Sequence, residues 1–135
     1  MVKETISWKD YDGNDRKEDF YFHLTEAELT TMSLSVDGGL DSYIKKIIAT
    51  KDLPGLVELF TKLIDKSYGE KSLDGREFHK SESILNKFKA TEAYSVFYMK
   101  LVKDSKAAAD FIKGIIPSDI SSKLPDNVSP EDFDK

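Results

Sequence analysis

Thr5-Ile6-Ser7-Trp8-Lys9-Asp10-Tyr11-Asp12-Gly13-Asn14-Asp15-Arg16-Lys17-Glu18-Asp19-Phe20-Tyr21-Phe22-His23-Leu24 decides how the rest of the chain must fold. Ile6 and Trp8 alternate with Thr5, Ser7 and Lys9, and Phe20, Phe22 and Leu24 alternate with Tyr21 and His23. That period of two belongs to half-buried strands. Asp12-Gly13 lies between the runs, where glycine accepts positive φ and aspartate bonds its own backbone, so the stretch reads as a β-hairpin over 5–24. Ile6, Trp8, Phe20 and Phe22 fall on one face, and His23 points away from it. A lone hairpin is marginal in water, so the apolar face requires helices to cover it.

Those helices follow in the sequence. Thr25 and Glu28 form a capping box, with Leu24 and Leu29 spaced as a hydrophobic staple. This short helix runs into Leu34-Ser35-Val36 and stops at Asp37-Gly38-Gly39. A second helix carries Leu40, Tyr43, Ile44, Ile47 and Ile48 on one stripe. In the third, Asp52 caps the start, Pro54 sits where its missing N–H costs nothing, and Leu56, Leu59, Phe60, Leu63 and Ile64 repeat at helical spacing. Gly69 is the expected stop, and residues 69–80 read as the main internal loop, with an Asp74-Gly75 turn and Phe78 as its anchor. Ser81 caps a helix bearing Ile84, Leu85 and Phe88. Thr91 opens another with Tyr94, Phe97, Tyr98, Leu101 and Val102. Asp104 or Ser105 caps a last one with Ala108, Phe111, Ile112 and Ile115, which Pro117 ends.

Beyond Pro117 the apolar residues thin out. Residues 118–135 hold five acids and two lysines, a net charge of -3. The segment reads as a disordered acidic tail or a strap that orders on a partner, and its composition favours disorder in the free protein. The expected architecture is therefore α+β and mainly α. A hairpin (5–24) packs on about six short helices (25–117) in a single globular domain, 1–117, with a flexible tail, 118–135.

Composition narrows the function. The 135 residues include 20 Lys and Arg against 25 Asp and Glu, for a formal charge of -5, which argues against a sequence-blind nucleic-acid coat. With no cysteine, a disulfide scaffold, a thiolate metal site and a cysteine nucleophile are excluded. The 15 Phe, Tyr and Trp residues provide for a core. No stretch approaches a membrane span, and the amino terminus lacks the apolar run of a signal peptide, so a reducing cytoplasmic location is the economical expectation.

Chemical motifs are missing. Asp10, Asp12 and Asn14 begin like a calcium loop, but its sixth and twelfth positions, glycine and glutamate, are here Asp15 and Tyr21. His23 and His79 have no His-Glu-x-x-His companion, and there is no nucleophile elbow or phosphate loop. Neither a metal, a cofactor nor an enzymatic activity is expected. Lysines on the later helices are interleaved with acids and read as solvated faces. The aromatic stripe of Tyr94, Phe97, Tyr98 and Leu101, with Phe111 near it, has a binding character, because aromatic groups are enriched in protein interfaces. Core is the competing reading, strongest for Phe97.

Tyr68-Gly69-Glu70-Lys71, Asp74-Gly75-Arg76, Phe78, Phe88, Thr91-Glu92-Ala93-Tyr94-Ser95 and Ala108-Ala109-Asp110-Phe111-Ile112-Lys113-Gly114-Ile115-Ile116-Pro117, taken together, resemble the tail assembly chaperones of long-tailed bacteriophages. Trp8-Lys9-Asp10-Tyr11-Asp12-Gly13-Asn14, Phe20-Tyr21-Phe22 and Leu24-Thr25-Glu26-Ala27-Glu28-Leu29 resemble the same family's hairpin and first helix, so the likeness spans roughly residues 6–117. The resemblance implies a non-enzymatic protein of the host bacterial cytoplasm. It would hold the long helical tape measure protein while tail tube subunits polymerise, self-associate along it, and be absent from the mature virion. Many members also have a longer frameshifted form. A minor structural protein of the neck or tail-completion type is the alternative. Partner-contact candidates are Tyr94, Phe97, Tyr98, Leu101 and Phe111, with neither nucleic acid nor membrane as a partner.

Overall fold

The computed structural model describes residues 1–34 and 39–115. Strands β1 (Val2–Lys9) and β2 (Asp15–Phe22) pair antiparallel from Val2↔Phe22 to Lys9↔Asp15. The turn is a three-residue loop: Asp10 N–H donates to the Asn14 carbonyl at 2.9 Å, Gly13 N–H to the Asp10 carbonyl at 3.0 Å, and Gly13 takes φ +84°. A residue with a Cβ would be strained at that φ. Ile6 and Phe22 are buried, and Trp8 and Phe20 pack on the same core, which is the face the alternation specified.

Helices α1 (Glu26–Leu34), α2 (Gly39–Thr50) and α3 (Leu53–Ser67) follow. The capping box forms: Glu28 N–H donates to Thr25 Oγ1 at 3.1 Å, and Thr25 N–H to Glu28 Oε1 at 2.9 Å. In α3 the Asp52 carboxylate accepts from Gly55 N–H at 3.0 Å. Leu56, Leu59, Phe60, Leu63 and Ile64 are all at most 1% exposed, so the α3 stripe is the floor of the core. Each such side chain contributes about 1.5–3 kcal/mol of burial. The stop expected around Asp37-Gly38 lies outside the described residues.

The segment after α3 departs from its reading as a loop. Tyr68–Lys71 is strand β3 and Phe78–His79 is β4, so that among the described residues the sheet has four strands in the order β1-β2-β3-β4. Tyr21 pairs with Gly69, Phe22 with Tyr68, and His23 N–H donates to the Ser67 carbonyl at 2.8 Å. Two strands this short carry too little alternation to be seen in sequence. Nor does Gly69 end a helix by a left-handed turn. Tyr68 is the extended cap, and a Cβ on Gly69 would stand 2.6 Å from the Phe78 ring and 2.8 Å from the His79 carbonyl oxygen. Gly69 is there because β4 approaches closely. Gly69→Ala should therefore cost about 1–3 kcal/mol, the usual price of overpacking, read as a lower urea midpoint with weakened amide protection in β3 and β4.

Helices α4 (Glu82–Lys89), α5 (Glu92–Lys103) and α6 (Ser105–Ile115) complete the described fold. Ser81 Oγ accepts from Ile84 N–H at 3.1 Å, and Asp104 Oδ1 accepts from Lys106 and Ala107 N–H, both at 3.1 Å, as capping requires. Thr91 precedes α5 but does not cap it; its hydroxyl donates back to the Phe88 carbonyl at 2.7 Å. The expected stop at Pro117 and the acidic segment 118–135 lie outside the described residues. Phe22 occupies the centre of the core, with the rings of Phe97, Phe111, Tyr68 and Phe88 at 4.9, 5.3, 5.5 and 6.0 Å.

Candidate functional site

Helix α5 positions four of the five partner-contact candidates, and its helical phase separates them. Ala93, Phe97 and Leu101 recur every fourth residue and form the buried line of the helix. Phe97 stacks on Phe22 and meets Phe111 edge-on at 5.2 Å. Phe97, Leu101 and Phe111 are each 1% exposed, so in this fold they are core and cannot touch a partner directly. Their apolar character in sequence suits core and interface equally, and only the packing of α5 and α6 beneath the hairpin decides between them.

Tyr94 and Tyr98 sit one position further round α5, and the structure brings them together half-buried on the flank facing α3. Their rings stack at 6.2 Å with 24° between planes. The Tyr94 hydroxyl donates to Asp65 Oδ1 at 3.3 Å, and Thr61 Oγ1 donates to the Tyr98 hydroxyl at 3.5 Å. Lys89 Nζ pairs with Asp65 Oδ2 at 2.9 Å and lies 5.7 Å from the Tyr94 ring centre. The result is an amphipathic shelf: apolar ring surface bordered by a cation, a carboxylate and two hydroxyls. Such a surface covers an apolar stripe on another chain while its rim stays wet.

Burial, then the Asp65 carboxylate beside it, pushes the Tyr94 phenol up to about 12. A raised acid pKa means that the folded state holds the proton longer than the unfolded chain does. The linked stability is intact below the ordinary tyrosine pKa of 10.0 and falls as pH climbs from there through about 12. Chemical denaturation at stepped pH should show that alkaline loss, and Tyr94→Phe should shrink it while lowering neutral-pH stability by about 0.5–1.5 kcal/mol for the lost hydrogen bond.

The same helix exposes two large apolar residues that the stripe did not flag, Val96 and Met99, each 41% exposed. Both lie off the repeating buried line, and single apolar residues outside a periodic stripe carry no signal in sequence. Leu73, at the tip between β3 and β4, is likewise fully exposed.

Groups with chemical potential are engaged structurally. Asp10 Oδ1 accepts from Asp12 and Asn14 N–H at 3.0 and 2.9 Å, and its Oδ2 accepts from Arg16 Nε at 2.9 Å. Arg16 first, then the Asn14 amide, hold this carboxyl below the usual range. It braces the hairpin turn. His23 is on the sheet face opposite Phe22, as its alternation specified, but Phe78 of the second hairpin meets it edge-on at 6.3 Å. Its Nδ1 is buried with no hydrogen-bond partner among the described residues, and burial, helped by nearby positive charge, pushes its pKa down. His79 pairs with Glu77 at 3.2 Å in the open. Among the described residues no three His, Cys, Asp or Glu side chains converge as a metal site, and no helix is long and apolar enough to cross a membrane.

The hairpin on its small helical core carries an amphipathic shelf, a surface suited to contact with another chain. The family model for phage tail assembly chaperones matches residues 1–132, and the chain belongs to that family. It is a chaperone of tail assembly. The match runs further than the resemblance over 6–117, taking in most of the acidic segment. No curated protein and no solved structure matches the chain.

Proposed function

We propose that the chain holds the tape measure protein in soluble form during tail tube assembly, with the Tyr94–Tyr98 shelf as its contact surface. The observation behind this reading is that two stacked, half-buried tyrosines stay accessible on a rim of Asp65, Lys89 and Thr61. A long helix awaiting its tube presents apolar stripes, and a shelf of this kind covers one turn of such a stripe. Weak single contacts suffice where many copies bind along one extended partner. Contacts with tail tube subunits or between copies, a place in the host cytoplasm and absence from the finished particle belong to the same proposal.

Co-expression with the tape measure protein tests it: the partner should move from the insoluble to the soluble fraction and co-purify. Failure to do so under conditions where the chaperone itself is folded contradicts the proposal. Peptide mass spectrometry of purified particles separates it from a neck or tail-completion role, in which the protein would persist in the virion.

A further inference from the structure

Among the described residues, the hairpin leaves one long strand edge unpaired. Asp10 N–H donates to the Asn14 carbonyl, which puts these residues at a hydrogen-bonded position, and such positions alternate along an antiparallel ladder. In the register Val2↔Phe22 to Lys9↔Asp15, the even-numbered residues of β1 therefore bond to β2. The N–H and C=O groups of Lys3, Thr5, Ser7 and Lys9 point the other way. β1 is the terminal strand of the sheet, and among the described residues those groups have no backbone partner. An open edge of eight residues is long enough to template another strand.

Helix α5 supplies a floor to this edge. It packs against β1, where Lys100 Nζ reaches Glu4 Oε2 at 3.3 Å, while its other flank, bearing Tyr94 and Tyr98, turns to α3. Val96 lies one turn before Lys100 on the β1 flank of the helix, and Met99 lies beside Val96. Both are exposed. Near the hairpin tip, Trp8, Tyr11 and the start of α5 line a cleft of about 240 Å³ that the Asp10–Arg16 ion pair borders. A strand added to β1 would send alternate side chains down towards Val96, Met99 and this cleft, and the others up beside Lys3 and Lys9. Neither lysine has an ion-pair partner among the described residues.

We infer that β1 accepts an extended segment of a partner protein by strand addition, with apolar residues on its inner face and carboxylates on its outer face. The backbone groups of Lys3, Thr5, Ser7 and Lys9 supply the pairing, Val96 and Met99 the apolar seat, and Lys3 and Lys9 the preference for acids. This surface is separate from the Tyr94–Tyr98 shelf, and its occupant is extended where the shelf's is helical.

The probe is a fluorescent seven-residue peptide alternating valine with threonine and carrying glutamate at both ends. Anisotropy titration of the full chain should show saturable binding, with the amides of Thr5, Ser7 and Lys9 gaining exchange protection. Ser7→Pro removes an outward N–H that β2 does not use, and an edge strand tolerates it. It should weaken binding at least tenfold with little change in thermal unfolding. Val96→Asp, on an exposed helix face, should do the same and serves if the proline variant fails to fold. Replacing the peptide's glutamates by lysines should also weaken binding. Absence of binding, or equal binding by the Val96→Asp variant, overturns the inference. A concentration-dependent dimer lost in Ser7→Pro would give the edge to a second copy and overturn the assigned partner. None of these readings depends on tape measure capture.

Discussion

Phe22→Ala is expected to remove a large share of the protein's stability. The ring is fully buried and touches the two elements that the hairpin must hold together, stacking on Phe97 of α5 and meeting Phe111 of α6 edge-on. Deleting it loses the transfer energy of the ring and leaves a void walled by other rings, which cannot collapse without moving whole helices. Such substitutions cost about 3–5 kcal/mol. A domain of this size has roughly 5–15 kcal/mol in total, so the variant should unfold at markedly lower urea with an unchanged slope. Phe78→Ala, at a half-buried position in the second hairpin, should cost clearly less. Equal losses at the two sites would mean that the aromatic cluster is not the organising centre of the fold.

The second large effect concerns binding. Tyr94→Lys together with Tyr98→Lys should leave the domain folded and reduce capture of the tape measure protein by about 2 kcal/mol or more, some 30-fold, as for tyrosines at the centre of an interface. Both rings are half-buried, and lysine stems can lie along the same apolar surface with the ammonium groups in water. The Tyr94 site already tolerates a cation, since Lys89 stands over its ring and Asp65 remains to receive a new one. Thermal unfolding of the variant should show a moderate loss for the missing ring contacts and the Asp65 bond. Collapse of the fold instead would place both tyrosines with Phe97 in the core.

The hairpin and helix caps were legible because they rest on local chemistry. Asp12-Gly13, the Thr25–Glu28 box, Asp52, Ser81 and Asp104 each act within a few residues of themselves, so sequence spacing alone positions them. The buried line of α3 was legible as apolar periodicity, whereas in α5 the stripe of Tyr94, Phe97, Tyr98 and Leu101 left core and interface undecided. What periodicity does not carry is the angle at which a helix meets its neighbours. That angle sent Phe97, Leu101 and Phe111 inward and left Tyr94 and Tyr98 on the rim. The β3–β4 hairpin was hidden for another reason: its strands are four and two residues long, and its key feature is the absence of a side chain at Gly69. The open edge of β1 becomes visible only when the pairing register is known, because every strand has such groups and the register says which are already used.

The most direct test of the central claim is the yield of tape measure protein recovered in the soluble fraction on co-expression, compared between the native chain and the Tyr94→Lys/Tyr98→Lys variant at matched levels of folded chaperone. The tyrosine shelf predicts high recovery with the native chain and near-background recovery with the variant. Equal recovery from both, or none from the native chain, would contradict it.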